Sequence, residues 1–179
     1  MTLGAAAVGM LLAAGDTEWS DHRLRGEVEG QATTALANGA ANGGLGLEFR
    51  VGYQLPHGLF PEVTAGLVDW APGSPEYKTR DLTGGLRFLA LERDPLPGIA
   101  FAFWVALRGG YGNQVDRAGR TTSESWMGTF ATGLSVGITS PHGGLPLLTA
   151  GGEVTYTQLG SNGWAALGLS LGMGFLEPP

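Results

Sequence analysis

Arginines and carboxylates recur at every second position in parts of this sequence, and they are its side chains best suited to chemistry. Two groups show the spacing: Arg23, Arg25, Glu27 and Glu29, followed by Glu48 and Arg50. Two neighbouring carboxylates such as Glu27 and Glu29 could act as a general acid and a general base. Each of them has an arginine close by, however, and opposite charges at short range favour ion pairs. The spacing therefore indicates paired charges rather than an acid–base catalyst.

The charged residues predicted to share one face are close to electrical balance. Five are positive and six are negative: Arg23, Arg25, Arg50, Arg87 and Arg108, against Glu27, Glu29, Glu48, Glu62, Asp81 and Glu153. Buried charges are tolerated when they are paired and hydrogen-bonded. We therefore interpret these residues as a self-neutralising ion-pair network, with a charged path for ions or protons as the alternative. Arg87 is also predicted to stack on Trp104, a cation–π contact worth about 0.5–2 kcal/mol.

The overall composition excludes several classes of protein. The chain has 179 residues, a net charge of −6 and a single lysine, Lys78. Without a basic cluster, nucleic-acid binding is not expected. The sequence has no cysteine, which excludes a disulfide framework, a thiol nucleophile and a cysteine-based zinc site. Its glycines form no phosphate-binding loop, and no metal or cofactor is predicted. Only 15% of residues are charged, so much of the surface is predicted to lie outside water.

A period-two alternation identifies the elements that carry these charges. Between Gly44 and Leu55, large apolar residues alternate with glycines and polar or charged residues. Successive side chains of a strand point to opposite faces of a sheet, so this segment is a strand with one apolar and one polar face. Eight such segments follow one another, at about residues 22–32, 44–55, 60–70, 79–91, 99–112, 126–139, 147–158 and 164–176.

The lengths of these segments fit a small membrane barrel. They run to roughly 10 to 14 residues, and a tilted membrane-spanning strand needs about 9–11. No stretch of about 18 apolar residues occurs, which excludes a transmembrane helix. The sequence therefore predicts an all-β fold, an eight-stranded antiparallel up-and-down transmembrane β-barrel. Its apolar faces are expected to lie against lipid and its polar faces inside.

The connections predict which end of the barrel faces outward. Short turns containing proline and glycine follow the second, fourth and sixth strands, at residues 56–58, 93–98 and 141–144. Longer polar loops follow the first, third and fifth strands, at residues 33–42, 71–76 and 113–125, and a brief loop is expected at residues 160–163. Outer-membrane barrels have short periplasmic turns and longer external loops. Both termini are therefore predicted to lie in the periplasm.

Aromatic residues are predicted to form two bands, one at each membrane interface. The band near the short turns comprises Trp19, Tyr53, Phe60, Phe88, Phe101 and Phe175. The band near the long loops comprises Trp70, Tyr77, Tyr111, Trp126, Tyr156 and Trp164. Amphipathic rings favour headgroup depth, which is why such girdles mark both rims of membrane barrels.

The histidines are poorly placed for catalysis. His57 and His142 fall in short turns, and His22 begins the first strand at the same end. A serine nucleophile needs a base within hydrogen-bonding reach, and the candidate serines lie in the opposite loops. The Pro-His-Gly turns could instead contact a metal or peptidoglycan, but proline and glycine set such turns whatever lies between them.

The two ends of the chain are predicted to lie outside the barrel. Residues 1–14 are apolar and rich in small residues but lack a positive start, so residues 1–18 are interpreted as a signal-peptide remnant or an N-terminal extension. The barrel domain is predicted to occupy residues 19–176, and residues 177–179 form a C-terminal tail.

In strand number, loop asymmetry and aromatic bands, residues 22–175 resemble the small eight-stranded outer-membrane barrels, the class of the OmpA membrane domain and OmpX. The ending Gly172-Met173-Gly174-Phe175 is similar to the terminal aromatic assembly signal of that class, although four residues follow it. The resemblance implies a structural, adhesive or host-interaction role and only rarely an enzyme.

We therefore predict a non-enzymatic protein of the Gram-negative outer membrane, with a plugged lumen. It would act in the envelope by itself or as a subunit of a larger complex. Its expected partners are outer-membrane lipid and a protein bound by the outer loops. Two alternatives stay open: a lipid-modifying outer-membrane enzyme on the same barrel, and a soluble lipocalin-like binding barrel with its apolar face inward.

Overall fold

The predicted β-barrel is confirmed by the structure, a computed structural model that describes residues 24–37, 40–55, 58–70, 78–96, 99–116, 118–138 and 147–176. These residues form eight antiparallel strands in a closed barrel with the order β1 to β8. The strands are β1 Leu24–Ala37, β2 Ala40–Tyr53, β3 Leu59–Trp70, β4 Lys78–Leu96, β5 Ile99–Val115, β6 Thr121–Ile138, β7 Leu147–Leu159 and β8 Asn162–Leu176. No helix among the described residues is long and apolar enough to cross a bilayer.

The barrel closes because β1 is paired on both of its sides. Its partner on one side is β2, in a ladder that continues to Ala37 opposite Ala40. On its other side it pairs with β8, from Arg25 opposite Leu176 to Leu36 opposite Ala165. A closed barrel leaves no sheet edge, so the backbone N–H and C=O groups of the wall can pair without water.

The two faces of the wall have the reverse of the usual polarity of a soluble protein. Large apolar side chains are exposed around the circumference, including Leu45 at 71%, Leu171 at 72% and Trp126 at 78%. Charged side chains are instead buried inside, including Arg50 at 3% and Glu62 at 4%. This orientation follows the alternation in the sequence. It is opposite to the inward apolar face that a soluble lipocalin-like barrel requires.

Two segments predicted to be long loops are largely strand. Residues 33–42 belong mostly to β1 and β2, which are separated by only two residues. Most of residues 113–125 likewise continue β5 and β6. Residues 93–96, predicted to begin a turn, extend β4 beyond a register shift between Leu89 and Leu91. The prediction was wrong because small polar residues with weak strand propensity still pair when a neighbouring ladder extends past them.

We call the end of the barrel with β1's first residue and β8's last residue the terminal end, and the opposite end the distal end. At the distal end, β6 extends beyond its last pair with β7 while it remains paired with β5. The pairing of β5 with β6 continues to Val115 opposite Thr121, whereas β6 pairs with β7 only from Met127 opposite Leu159. Six residues of extended chain correspond to about 20 Å. At the terminal end, β4 likewise continues past its last pair with β3, from Phe88 opposite Leu59 to Leu96 opposite Ile99. The described hairpins therefore extend at both ends of the barrel.

Candidate functional site

The barrel interior is organised around the carboxylate of Glu62, whose side chain has no exposed surface. Its Oε1 atom accepts a hydrogen bond from Nε of Arg108 at 2.7 Å. Its Oε2 atom lies 3.0 Å from Nε of Arg87 and 3.6 Å from Nε of Arg50. These three arginines come from β5, β4 and β2, while Glu62 lies on β3. One glutamate thus joins four strands across the lumen.

Arg50 is the second centre of the interior. Its Nη1 atom lies 3.0 Å from Glu27 and 3.3 Å from Glu29, both on β1. It also pairs with Glu48, two residues earlier on its own strand. Arg25 adds a further ion pair to Glu27. Each of these residues lies on the inward face because the charged residues alternate with apolar ones along β1 and β2.

The two centres form one continuous set of charges, which we call the ion-pair layer. They are linked through Glu62 and through Arg108, whose Nη1 atom lies 3.6 Å from Glu48. The layer contains four arginines and four glutamates: Arg25, Arg50, Arg87, Arg108, Glu27, Glu29, Glu48 and Glu62. Its formal charges cancel, which is the condition for holding ionised groups in a confined interior.

A glycine on β4 makes room for the ion pair between Glu62 on β3 and Arg108 on β5. Gly85 faces inward on β4, and its register neighbours on the two adjacent strands are Glu62 and Arg108. The side chains of Glu62 and Arg108 therefore meet across the position of Gly85. A methyl group built on Gly85 would lie 2.7 Å from the Cα atom of Arg108.

An apolar cluster supports the layer on its terminal side. The guanidinium carbon of Arg87 lies 4.3 Å from the ring centroid of Trp104, the cation–π geometry that the sequence suggested. Trp104 packs in turn with Leu89, Ala106 and Ala131, all of which are buried. The inward side of β4, β5 and β6 is therefore filled with apolar side chains near this end.

Two members of the predicted network, Asp81 and Glu153, stand apart from the layer, and a third lies outside the described residues. Asp81 and Glu153 line the lumen, yet neither forms an ion pair with another described residue. Their register neighbours include Gly66 for Asp81 and Gly168 for Glu153. Arg23 lies outside the described residues.

Five of the predicted girdle aromatics have exposed side chains on the outer wall, as a girdle requires: Tyr53, Phe101, Tyr111, Trp126 and Tyr156. Phe88 is partly buried and shares the outward face of β4 with Leu86. Trp19 and Tyr77 lie outside the described residues, and Phe175 belongs to β8 opposite Gly26.

Three girdle predictions are wrong because these aromatics face the lumen. Phe60 is only 3% exposed, and its ring lies where a side chain on Gly52 would be. Trp70 donates a hydrogen bond from Nε1 to Thr79 inside the barrel at 2.9 Å. Trp164 lies opposite the buried Thr157 in the register of β7 and β8, and both residues share the inward face. All three share parity with inward residues of their strands, so parity and not aromatic character sets their direction.

Contacts between inward-facing threonines are the interior feature that sequence reasoning missed. Thr64 and Thr83 are buried, and their hydroxyl oxygens lie 2.6 Å apart. Thr129 and Thr157 form a similar pair at 3.4 Å. These hydroxyl groups line the lumen on the distal side of the ion-pair layer. The signal was available, since each threonine occupies an inward position in the alternation.

The described residues contain no group of three or more histidine, cysteine or acidic side chains that could hold a metal ion. His22, His57 and His142 lie outside the part of the chain that the structure describes. The chemistry that the described interior supports is therefore charge pairing and hydrogen bonding.

Comparison with solved structures agrees with this architecture. The chain is similar to Neisserial surface protein A, with a TM-score of 0.64 and 15% identity over 85% of this chain and 96% of that one. It is also similar to the N-terminal β-barrel domain of Pseudomonas aeruginosa OprF, with a TM-score of 0.52 and 15% identity over 87% and 100% of the two chains. Both are eight-stranded outer-membrane barrels. No protein-family model and no curated protein sequence matches the chain. The resemblance is therefore confirmed at the level of the fold.

Proposed function

We propose that this chain is an integral protein of a bacterial outer membrane with a structural or interaction role in the envelope. The observation that carries the proposal is the apolar outer wall of a closed barrel. Soluble monomers rarely expose contiguous apolar patches larger than about 300–600 Å². Here exposed leucines, valines and phenylalanines surround the barrel, including Leu47, Phe49, Leu107, Leu134 and Leu169. Lipid is the solvent that suits such a wall.

We propose that the ion-pair layer plugs the lumen and stabilises the barrel. Eight strands enclose a space that side chains can fill. The layer occupies that space with mutually neutralising charged residues of β1 to β5. Trp104 fills the region on the terminal side of the layer. This arrangement favours a structural role over conduction, because a conducting path would have to separate several of these ion pairs.

We propose that the termini lie in the periplasm and that the distal hairpins face the outside. On this view residues 1–18 are a signal remnant or an extension, and residues 177–179 are a tail. The β5–β6 hairpin then lies at the outer end, where it could reach a protein partner or join a larger envelope complex. The similar Neisserial protein is named a surface protein, which is consistent with exposure of this end.

A simple test is the electrophoretic migration of the full chain after refolding in lipid vesicles. A membrane barrel is expected to co-float with the vesicles and to migrate differently with and without boiling, because the barrel resists unheated detergent. A matched variant, Leu47→Arg on the outer wall, should insert much less well, since an arginine near the bilayer centre costs about 2–4 kcal/mol. Efficient refolding of the wild-type chain in water without detergent or lipid would contradict the proposal.

The enzymatic alternative is tested separately, by mass spectrometry of lipid A from cells with and without expression. An unchanged lipid A profile agrees with a structural or interaction role. A new modification that appears with the wild-type chain would establish enzymatic activity instead.

A further inference from the structure

The distal half of the lumen contains a chamber of about 90 Å³, above the ion-pair layer. Its walls include the carboxylates of Asp81 and Glu153 and the inward-facing tryptophans Trp70 and Trp164. Threonine side chains complete the walls, and Arg108 belongs to the floor. The chamber thus combines negative charge, aromatic rings and hydroxyl groups in one partly open space.

The charge in this chamber is not balanced by the described residues. The arginines and glutamates of the ion-pair layer cancel one another, so Asp81 and Glu153 leave two formal negative charges over. Asp81 and Glu153 are both partly buried, and a carboxylate withdrawn from bulk water is stabilised by a nearby counter-charge or a proton. Both side chains lie beside glycines: a methyl group on Gly66 would be 2.6 Å from Oδ2 of Asp81, and one on Gly168 would be 3.3 Å from Cγ of Glu153.

Arg108 supplies an independent indication that the chamber holds a guest. It is 9% exposed and lines the chamber, and its Nη2 atom is buried without a hydrogen-bond acceptor among the described residues. A buried donor without a partner is rare in native proteins and points to an ordered water or a ligand. A hydrated cation meets both requirements, because its water accepts from Arg108 while its charge faces the two carboxylates.

We propose that the distal chamber binds a small ammonium-type cation together with water. The N–H groups of such an ion can donate to Asp81, Glu153 and the threonine hydroxyls. Indole rings also attract cations of this kind. A divalent metal suits the chamber less well, because the described residues contain no cluster of three metal-ligating side chains. The chamber's size favours methylammonium, with water, over the much bulkier tetraethylammonium.

The test compares these two cations on the refolded full chain in detergent at pH 7. Thermal unfolding is measured in a series of samples in which methylammonium progressively replaces tetraethylammonium. The ionic strength is constant, and the buffer contains no other monovalent cation. The midpoint is expected to rise and to level off, by about 5 °C when the site is saturated. The readout needs only the folded barrel, so a negative result leaves the proposed membrane role standing.

Variants locate the effect within the chamber. The double substitution D81N/E153Q is expected to abolish the difference between the two cations. The control D69N changes an exposed carboxylate on the outer side of the distal rim, and it should leave the difference intact. Equal midpoints in both cations for the wild-type chain would overturn the proposal even if the double variant failed to refold. A cation effect that survives in D81N/E153Q would also overturn it. So would an infrared band of protonated carboxyl groups at pH 7 that is present in the wild-type chain and absent from D81N/E153Q, because the two side chains would then carry no charge to attract a cation.

Discussion

Glu62 is the residue on which the ion-pair layer depends most, because three arginines from three other strands converge on it. We expect Glu62→Gln to destabilise the folded barrel by about 3–5 kcal/mol, since it leaves buried arginines without their counter-charge. The neighbouring residue Val63 faces outward and is 55% exposed. Val63→Ala should therefore have a much smaller effect on the same barrel.

The measurement is urea unfolding of both variants in lipid vesicles, with tryptophan fluorescence as the signal. A loss of stability in Val63→Ala as large as in Glu62→Gln would show that the interior charges do not hold the barrel together. The comparison is a close one, because the two residues are adjacent on β3 and differ chiefly in the face that they occupy.

The residues of the layer were predictable from the sequence, but their pairings were not. Alternation alone placed Glu62, Arg87 and Arg108 on the inward face. The contact between Glu62 and Arg108 joins β3 and β5 across β4, so it depends on the absence of a side chain at Gly85. The sequence also carried no sign that Asp81 and Glu153 lack an ion-pair partner among the described residues, since counting charges gives their balance and not their partners.

At the scale of the strands, two adjacent glycines on β4 offer a sharp comparison. Gly85 faces inward, where an added methyl group would lie 2.7 Å from the Cα atom of Arg108. Gly84 faces outward, and the nearest atom to a methyl group there is the carbonyl oxygen of Glu62 at 3.8 Å. We expect Gly85→Ala to cost about 1–3 kcal/mol through overpacking of the wall. Gly84→Ala should be close to neutral in the same vesicle unfolding assay, and the reverse order would contradict the assigned faces of β4.

The turn of the β5–β6 hairpin predicts a pH-dependent contact. The backbone N–H of Arg120 donates to Oδ1 of Asp116 at 2.8 Å, and its Nε donates to Oδ2 at 2.9 Å. The backbone hydrogen bond from Arg120 is the main cause that holds the pKa of Asp116 below its usual 3.8. The pKa of Asp116 is lower in the folded state than in the unfolded chain, so its carboxylate stabilises the turn fully above pH 3.8. This stabilisation is lost as the pH falls through the pKa of the folded state.

Nuclear magnetic resonance of the barrel in detergent can follow this contact. The Arg120 amide proton is expected to titrate with a midpoint below 3.8. In Asp116→Asn, that titration should disappear. A midpoint at or above the usual value for aspartate would show that the carboxylate does not receive these hydrogen bonds.

The limits of prediction from sequence are clearest at the strand ends. The central parts of the strands were predicted because their alternation is strong, as in residues 44–53 of β2. Residues 113–115 and 121–125 were taken for loop because polar residues alone carry no sign that a hairpin continues. Phe60, Trp70 and Trp164 were assigned outward from their aromatic character, although their parity already placed them inside. For these three aromatics, the position in the strand alternation predicted the direction of the side chain correctly and the residue type did not.

At the scale of the whole molecule, the apolar outer wall implies that the barrel spans the membrane. The proposed orientation, with the terminal end in the periplasm and the distal end outside, can be tested directly. The sequence has no cysteine, so a single introduced thiol reports one position without background. Ser161 is exposed in the turn between β7 and β8 at the distal end, and Leu55 is exposed between β2 and β3 at the terminal end. We expect a membrane-impermeant maleimide to label Ser161→Cys on intact cells. Leu55→Cys should be labelled only after the outer membrane is opened, because we propose that its end of the barrel faces the periplasm. Labelling of Leu55→Cys but not Ser161→Cys on intact cells would reverse the orientation, and the β5–β6 hairpin could then not be the part of the protein that meets an external partner.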